Sequence, residues 1–155
     1  MPRTLTFTVR ALRPSDGDNY RSILERTSSE DRYCRFFHAV DHFDPDFIDE
    51  YVVKRPGVFG YIALDGYRPL GTAHAVAIDD RSAELAILVA ADSRRQGVAS
   101  VLVERLVEEL RRAGHRWLVA YALRENSPFA RLAKSIGMTP DAVAEGSVST
   151  WRLAL

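Results

Sequence analysis

The sequence predicts an α/β domain on one mixed, twisted, mostly antiparallel sheet, and three observations carry that prediction. First, the period of the apolar residues switches within one stretch, Glu84 to Gly114, from a continuous run to a helical repeat. Second, another apolar strand, Trp117 to Ala122, follows directly, so strand, helix and strand form a βαβ unit whose two strands run parallel. Third, the remaining strand-like segments are joined by short turns or flank a block of helices, which is the order of a partly antiparallel sheet.

Leu85 to Ala90 is rich in branched residues, as expected of a strand covered on both faces. Beyond a polar loop, Ala99, Leu102, Val103, Leu106, Val107, Leu110 and Ala113 recur at three- and four-residue steps and share one helical face. Gly114 fits the left-handed position past the helix end. Towards the N-terminus, Leu5, Phe7 and Val9 alternate with Thr6, Thr8 and Arg10 as a first strand. Ser15 and Asp16 offer an N-cap for a helix carrying Tyr20, Ile23 and Leu24. A second helix starts at Ser28 or Ser29, and Asp44-Pro45 opens a third, with Phe47, Ile48, Tyr51 and Val52 at helical spacing. Val58 to Leu64 and Leu70 to Ile78 read as strands joined by a turn at Asp65-Gly66. Asn126-Ser127-Pro128 opens a last helix that Gly137 ends, and Val148 to Leu155 closes the sheet.

The 155 residues suit a single domain. Acidic and basic residues balance at 21 each, so neither nucleic acid nor an anionic membrane is expected as the main partner. No apolar stretch approaches membrane-spanning length and no secretory signal is visible; a cytoplasmic location is the expectation. A homodimer is left open. The single cysteine, Cys34, is expected to be a small packing residue. His38 and His42 are four apart beside Asp41 and Asp44, but with no further ligand in view no metal site is expected. His74, alone in an apolar strand, reads as packed or cleft-lining, and Tyr33, Phe36 and Phe37 read as mainly core.

The loop before the long helix carries the chemistry. Arg94 and Arg95 stand where the helix already presents partial positive charge, a penalty that a bound anion would reverse. Free N–H groups beside Gly97 make a phosphate cradle, which Gly97 and Ala99 keep clear of side chains. Taken alone, the loop fits a plain solvated turn equally well. It lacks the lysine of a nucleotide P-loop and the triple glycine of a dinucleotide site.

The string Arg94-x-x-Gly97-x-Ala99 resembles the Q/R-x-x-G-x-G/A pyrophosphate loop of the GNAT family of N-acetyltransferases. Two further stretches agree. Asn126 to Gly137-Met138 matches the family's asparagine, helix and terminal glycine, and Ser29 to Phe37 looks like the S-R-Y-x-R-F-F stretch of its bacterial protein-lysine branch. The resemblance implies the GNAT fold: a central parallel pair of strands splayed beside a bulge at the cofactor, with helices on both faces. It further implies acetyl-CoA as acyl donor and an amine acceptor, a protein lysine in the nearest branch. It also sets the region of Tyr33, Phe36 and Phe37 beside the acceptor groove. By carry-over, Ile87, Leu88 and Val89 contact the pantetheine arm. Arg94 starts the diphosphate loop, and the amides of Arg95, Gln96, Gly97, Val98, Ala99 and Ser100 hold the diphosphate. Asn126 either reaches the cofactor or caps its helix. Glu84 is the implied general base, since a lysine amine with a pKa of about 10.4 must lose a proton before it attacks; read from the residues alone it is also an ordinary turn carboxylate. Ala133 occupies the slot where many relatives carry a proton-donating tyrosine. A small-molecule amine acceptor and a non-catalytic acyl-CoA sensor are the alternatives.

Overall fold

The computed structural model describes residues 6–141 and 146–155, so Leu5 of the first strand's alternation lies outside the described residues. Among the described residues, seven strands form one sheet in the order β1-β2-β3-β4-β5-β7-β6. They are β1 (Thr8–Ala11), β2 (Val58–Asp65), β3 (Arg68–Ala77), β4 (Ser82–Val89), β5 (Trp117–Leu123), β6 (Thr139–Pro140) and β7 (Val148–Ala154). All neighbours pair antiparallel except β4 and β5, the two strands of the βαβ unit. The two-residue β6 has no counterpart among the sequence expectations, because so short a pairing leaves no periodicity to read.

Three helices, α1 (Gly17–Glu25), α2 (Ser29–Phe36) and α3 (Pro45–Val52), fall between β1 and β2. α4 (Val98–Arg112) joins β4 to β5, and α5 (Ser127–Ser135) follows β5. Alternation along the strands separates two cores. On one face Leu85 of β4 and Leu118 and Ala120 of β5 pack under Leu102, Val103, Leu106 and Leu110 of α4. On the other, Leu88 of β4 joins Tyr20, Ile23 and Leu24 of α1 and Ile48 and Val52 of α3. Each fully buried leucine contributes about 1.5–3 kcal/mol. The α4 stripe differs from expectation at both ends: Val98 is buried, whereas Ala99 is half-buried and Ala113 exposed.

Capping follows the sequence at two of the three N-terminal helices. Ser28 accepts from Asp31 N–H at 3.1 Å, with Asp31 reciprocating as a capping box, and Asp44 accepts from Phe47 N–H at 2.8 Å. Asp16 departs from its expected cap role. Its buried carboxylate accepts from the Arg10 guanidinium at 2.7 and 2.8 Å, from Arg13 N–H at 2.7 Å and from Asn19 Nδ2 at 2.9 Å. Asp16 therefore ties β1 to the start of α1. Burial pushes its pKa up, but these four donors outweigh burial and hold it down at about 2.

Candidate active site

β4 and β5 pair over three positions, Ser82 with Trp117, Ala83 with Leu118 and Glu84 with Val119. Beyond Glu84 the strands part. β4 stays in unbroken register with β3 as far as Val89, and β5 stays in register with β7 as far as Leu123. Each strand keeps its own antiparallel partner, and the sheet's twist carries the two pairs apart. The bulge expected beside the splay is absent: the β3–β4 ladder has no register shift, and the shift in this part of the sheet lies between Ala63 and Leu64 of β2.

The gap opens into a cleft of about 560 Å³ lined by β4, β5, α2, the start of α4 and the start of α5. Of the residues expected to meet the cofactor or the reacting atoms, all but Gln96 line it. Glu84 is the last paired residue, at the vertex. It shares a face of β4 with Leu88, whose side chain joins the α1–α3 core, so the carboxylate projects to that side of the sheet.

At the wide end, a 3-10 turn (Ala91–Ser93) leads to Arg94, and Arg95 and Gly97 both take left-handed backbone, φ 60° and 80°. Space lies open where a Gly97 Cβ would stand, so the demand for glycine there is one of backbone conformation. α2, α3 and α5 are each capped by a side chain, Ser28, Asp44 and Asn126, whereas no side chain caps α4. Val101 N–H bonds to Gly97 C=O at 3.1 Å, leaving the first-turn amides before it without a partner inside the helix. An uncapped fifteen-residue helix beside a left-handed glycine suits a diphosphate, and the free strand edges suit an extended amide-bearing arm such as pantetheine.

Arg94 corrects one premise of the sequence reading. Its guanidinium meets Asp31 of α2 at 2.7 Å, so its charge is already answered by the protein; Arg95, the other of the pair, makes no such contact among the described residues. Burial raises the Asp31 pKa, but the bonds from Arg94 and Ser28 outweigh it and leave the carboxyl below its ordinary value. This ion pair belongs to a seam between the α1–α2 junction and the approach to the loop. Ala91 N–H donates to Arg26 C=O at 2.9 Å, and the Arg26 side chain grips Asp92 at 2.8 and 3.2 Å and Pro69 C=O at 2.5 Å. Arg68 binds Asp92 from the other side, and the Asp92 carboxyl is held down at about 2, chiefly by Arg26.

Asn126 caps α5 through Oδ1, which accepts from Phe129 N–H at 3.1 Å, and it also lines the cleft. Tyr33 and Phe37 are not core as expected: at 46 and 39 % exposure they line the cleft, and Phe36 alone of the three is buried. Tyr33 stands on α2, Phe37 is the left-handed residue just past its end (φ 62°), and Phe36 faces the Phe47 and Tyr51 rings. Arg35 lines the cleft and stacks on Phe36, its charge centre 4.6 Å from the ring; Arg32 instead donates to the Val40 and Thr27 carbonyls at 2.6 Å. Cys34 is a half-buried cleft residue rather than packing. His74 is buried with Nε2 2.8 Å from Tyr51 C=O, and burial, then Arg35, push its pKa down to about 4. Among the described residues, no three His, Cys, Asp or Glu side chains gather where they could hold a metal, and no helix is long and apolar enough to cross a membrane.

The model of the acetyltransferase (GNAT) family matches residues 20–138. The chain belongs to that family. A Pseudomonas aeruginosa acetyltransferase is 25 % identical over 135 residues, 83 % of this chain and 73 % of that protein. Among solved structures, the GNAT domain of S. lividans PAT superposes with a TM-score of 0.89 at 24 % identity, covering 95 % of this chain and 89 % of that one. The spermidine N-acetyltransferase of Vibrio cholerae, in complex with CoA and spermine, gives a TM-score of 0.75 at 17 % identity over 96 and 95 %. The Salmonella typhimurium protein yncA, solved with acetyl-CoA, gives 0.72 at 20 % over 96 and 93 %. This GNAT protein is an acetyl-CoA-dependent N-acetyltransferase with a mixed sheet and one parallel pair.

Proposed function

We propose that this enzyme passes the acetyl group directly from acetyl-CoA to a lysine side chain of another protein, with Glu84 as general base. The observation that carries the reading is the place of Glu84: it is the last residue at which β4 and β5 pair, so its carboxylate stands at the closed end of the cleft. Ile87, Leu88 and Val89 line the arm of the cleft that leads from there to Arg95 and the uncapped amides from Gly97 to Ser100. A thioester held between those points presents its carbonyl near the vertex. Glu84, directly or through one water, takes the ammonium proton; the freed nitrogen then attacks. Asn126 Nδ2 remains free to donate to the cofactor while Oδ1 caps α5.

A protein acceptor is favoured by the floor beside the cleft. Trp117, Val76 and Ile78 are 40, 46 and 50 % exposed next to the vertex, and Tyr33 and Phe37 face the cleft from α2. Direct transfer is favoured over a cysteinyl intermediate by the surroundings of Cys34. Burial, then Glu30, Asp31 and Glu125, push the thiol pKa up and disfavour the thiolate. Glu30 and Glu125 line the cleft together with Glu84, which also suits a small polycationic amine as a second reading.

Glu84→Gln tests the proposal. The variant should keep the stabilisation by acetyl-CoA, about 2.7 kcal/mol at a hundred times its Kd, and lose about 10²–10⁴-fold in transfer rate. Unchanged turnover removes Glu84 as the base. Lysine peptides assayed beside spermidine decide between the acceptors. Cys34→Ala should retain turnover, and its loss would instead point to an acetyl-cysteine intermediate.

A further inference from the structure

Transfer ends with a thiolate leaving the acetyl carbon, and the α5 slot where many relatives carry a proton-donating tyrosine holds Ala133, fully buried in the α4-side core. The register of the parallel pair supplies another group. Tyr121 lies two residues beyond Val119, the partner of Glu84, which is about 7 Å further along the strand. Leu118 and Ala120 point into the α4-side core, so Tyr121 projects to the opposite face, the one Glu84 occupies. Continued past the vertex, the same register sets Tyr121 opposite Ala86, whose methyl leaves the space between the strands to a ligand. Tyr121 is 41 % exposed, lines the cleft, and its backbone is fixed by pairing with Thr150 of β7. The other cleft-lining phenol, Tyr33, hangs from α2 rather than from the parallel pair.

We propose that Tyr121 is a further catalytic residue, the proton donor to the sulfur of departing coenzyme A. The inference rests on the acetyl-transfer reading at Glu84. The amine nitrogen forms its bond to the acetyl carbon as the carbon–sulfur bond breaks, and the electron pair stays on sulfur. The phenol proton passes to that sulfur, releasing a thiol, and the phenolate is reprotonated by solvent. Of the two protons the ammonium nitrogen sheds, the first goes to Glu84 before attack. The second goes to solvent as the amide forms, balancing the proton that solvent returns to the phenolate. Base and acid thus stand on facing strands of one gap.

The experiment compares single-turnover acetyl transfer by wild type, Tyr121→Phe, Tyr121→Ala and Glu84→Gln, with acetyl-CoA Kd and acceptor KM measured for each. Tyr121→Phe keeps the ring and removes the proton. It should slow the single-turnover rate at least about tenfold and leave Kd and KM within about twofold. A Tyr121→Phe rate within twofold of wild type beside a slow Glu84→Gln overturns the inference alone, whether or not Tyr121→Ala is impaired, because the ring is then only a wall. Wild-type rate in Glu84→Gln overturns the reading beneath it.

Discussion

The two edges of β4 meet opposite fates. Towards β3 the strand pairs at seven positions, from Ala83 with Ala77 to Val89 with Gly71, and the side chains on both faces are drawn into the two cores. Towards β5 it pairs at three and then stops at Glu84. The same residues, Leu85 to Val89, thus serve stability along one edge and line the open cleft along the other. The difference teaches that the site is made by withholding structure: unpaired strand groups, an uncapped helix and a carboxylate at the point of divergence.

If the two sides are separable, substitutions should move stability or binding but not both. The largest expected effect is on the closed side. Leu106→Ala, at a fully buried α4 position, should destabilise by about 3 kcal/mol in denaturant melts and leave acetyl-CoA Kd unchanged. A tenfold change in Kd would break the comparison. On the open side, Ala86→Phe should fill the gap, weakening acetyl-CoA about a hundredfold, or about 2.7 kcal/mol, by calorimetry with an unaltered unliganded melt.

Asp16→Asn, remote from the cleft, should lose about 2 kcal/mol and about 4–8 °C of melting temperature without touching catalysis. Because the folded pKa lies below the ordinary 3.8, at about 2, the carboxylate's contribution is complete above 3.8 and disappears as pH falls through that window. The gap between wild type and variant should therefore close on acidification from 3.8 to 2, which melts at stepped pH will show. The smallest effect belongs where both roles meet. Gly97→Ala strains a left-handed residue by about 1 kcal/mol, so melting temperature and cofactor affinity should fall modestly together.

Much of this was legible in the residues. Periodicity gave α4, the apolar run gave β4, and the loop from Arg94 to Ala99 pointed to the wide end of the cleft because the start of a helix is local in sequence. Where β4 and β5 part was not legible, since pairing depends on what each strand does with its other neighbour. The same holds for Asp31, which looks like a helix cap until Arg94 is found against it, and for Tyr33 and Phe37, whose exposure is decided by how α2 lies over the sheet. Tyr121 sat unremarked in an apolar strand; a tyrosine two residues past the partner of Glu84 on the same face is the signal that finds it.

The missing rungs between β4 and β5 have a consequence for handling the protein. Rows of bare N–H and C=O groups are templates for another chain of the same kind, so they invite self-association. A pantetheine arm lying along them, as proposed, would shield both rows at once. Stripped of coenzyme A, the protein should clump on mild warming sooner than its liganded form, and light scattering with and without the free thiol will register that guardianship.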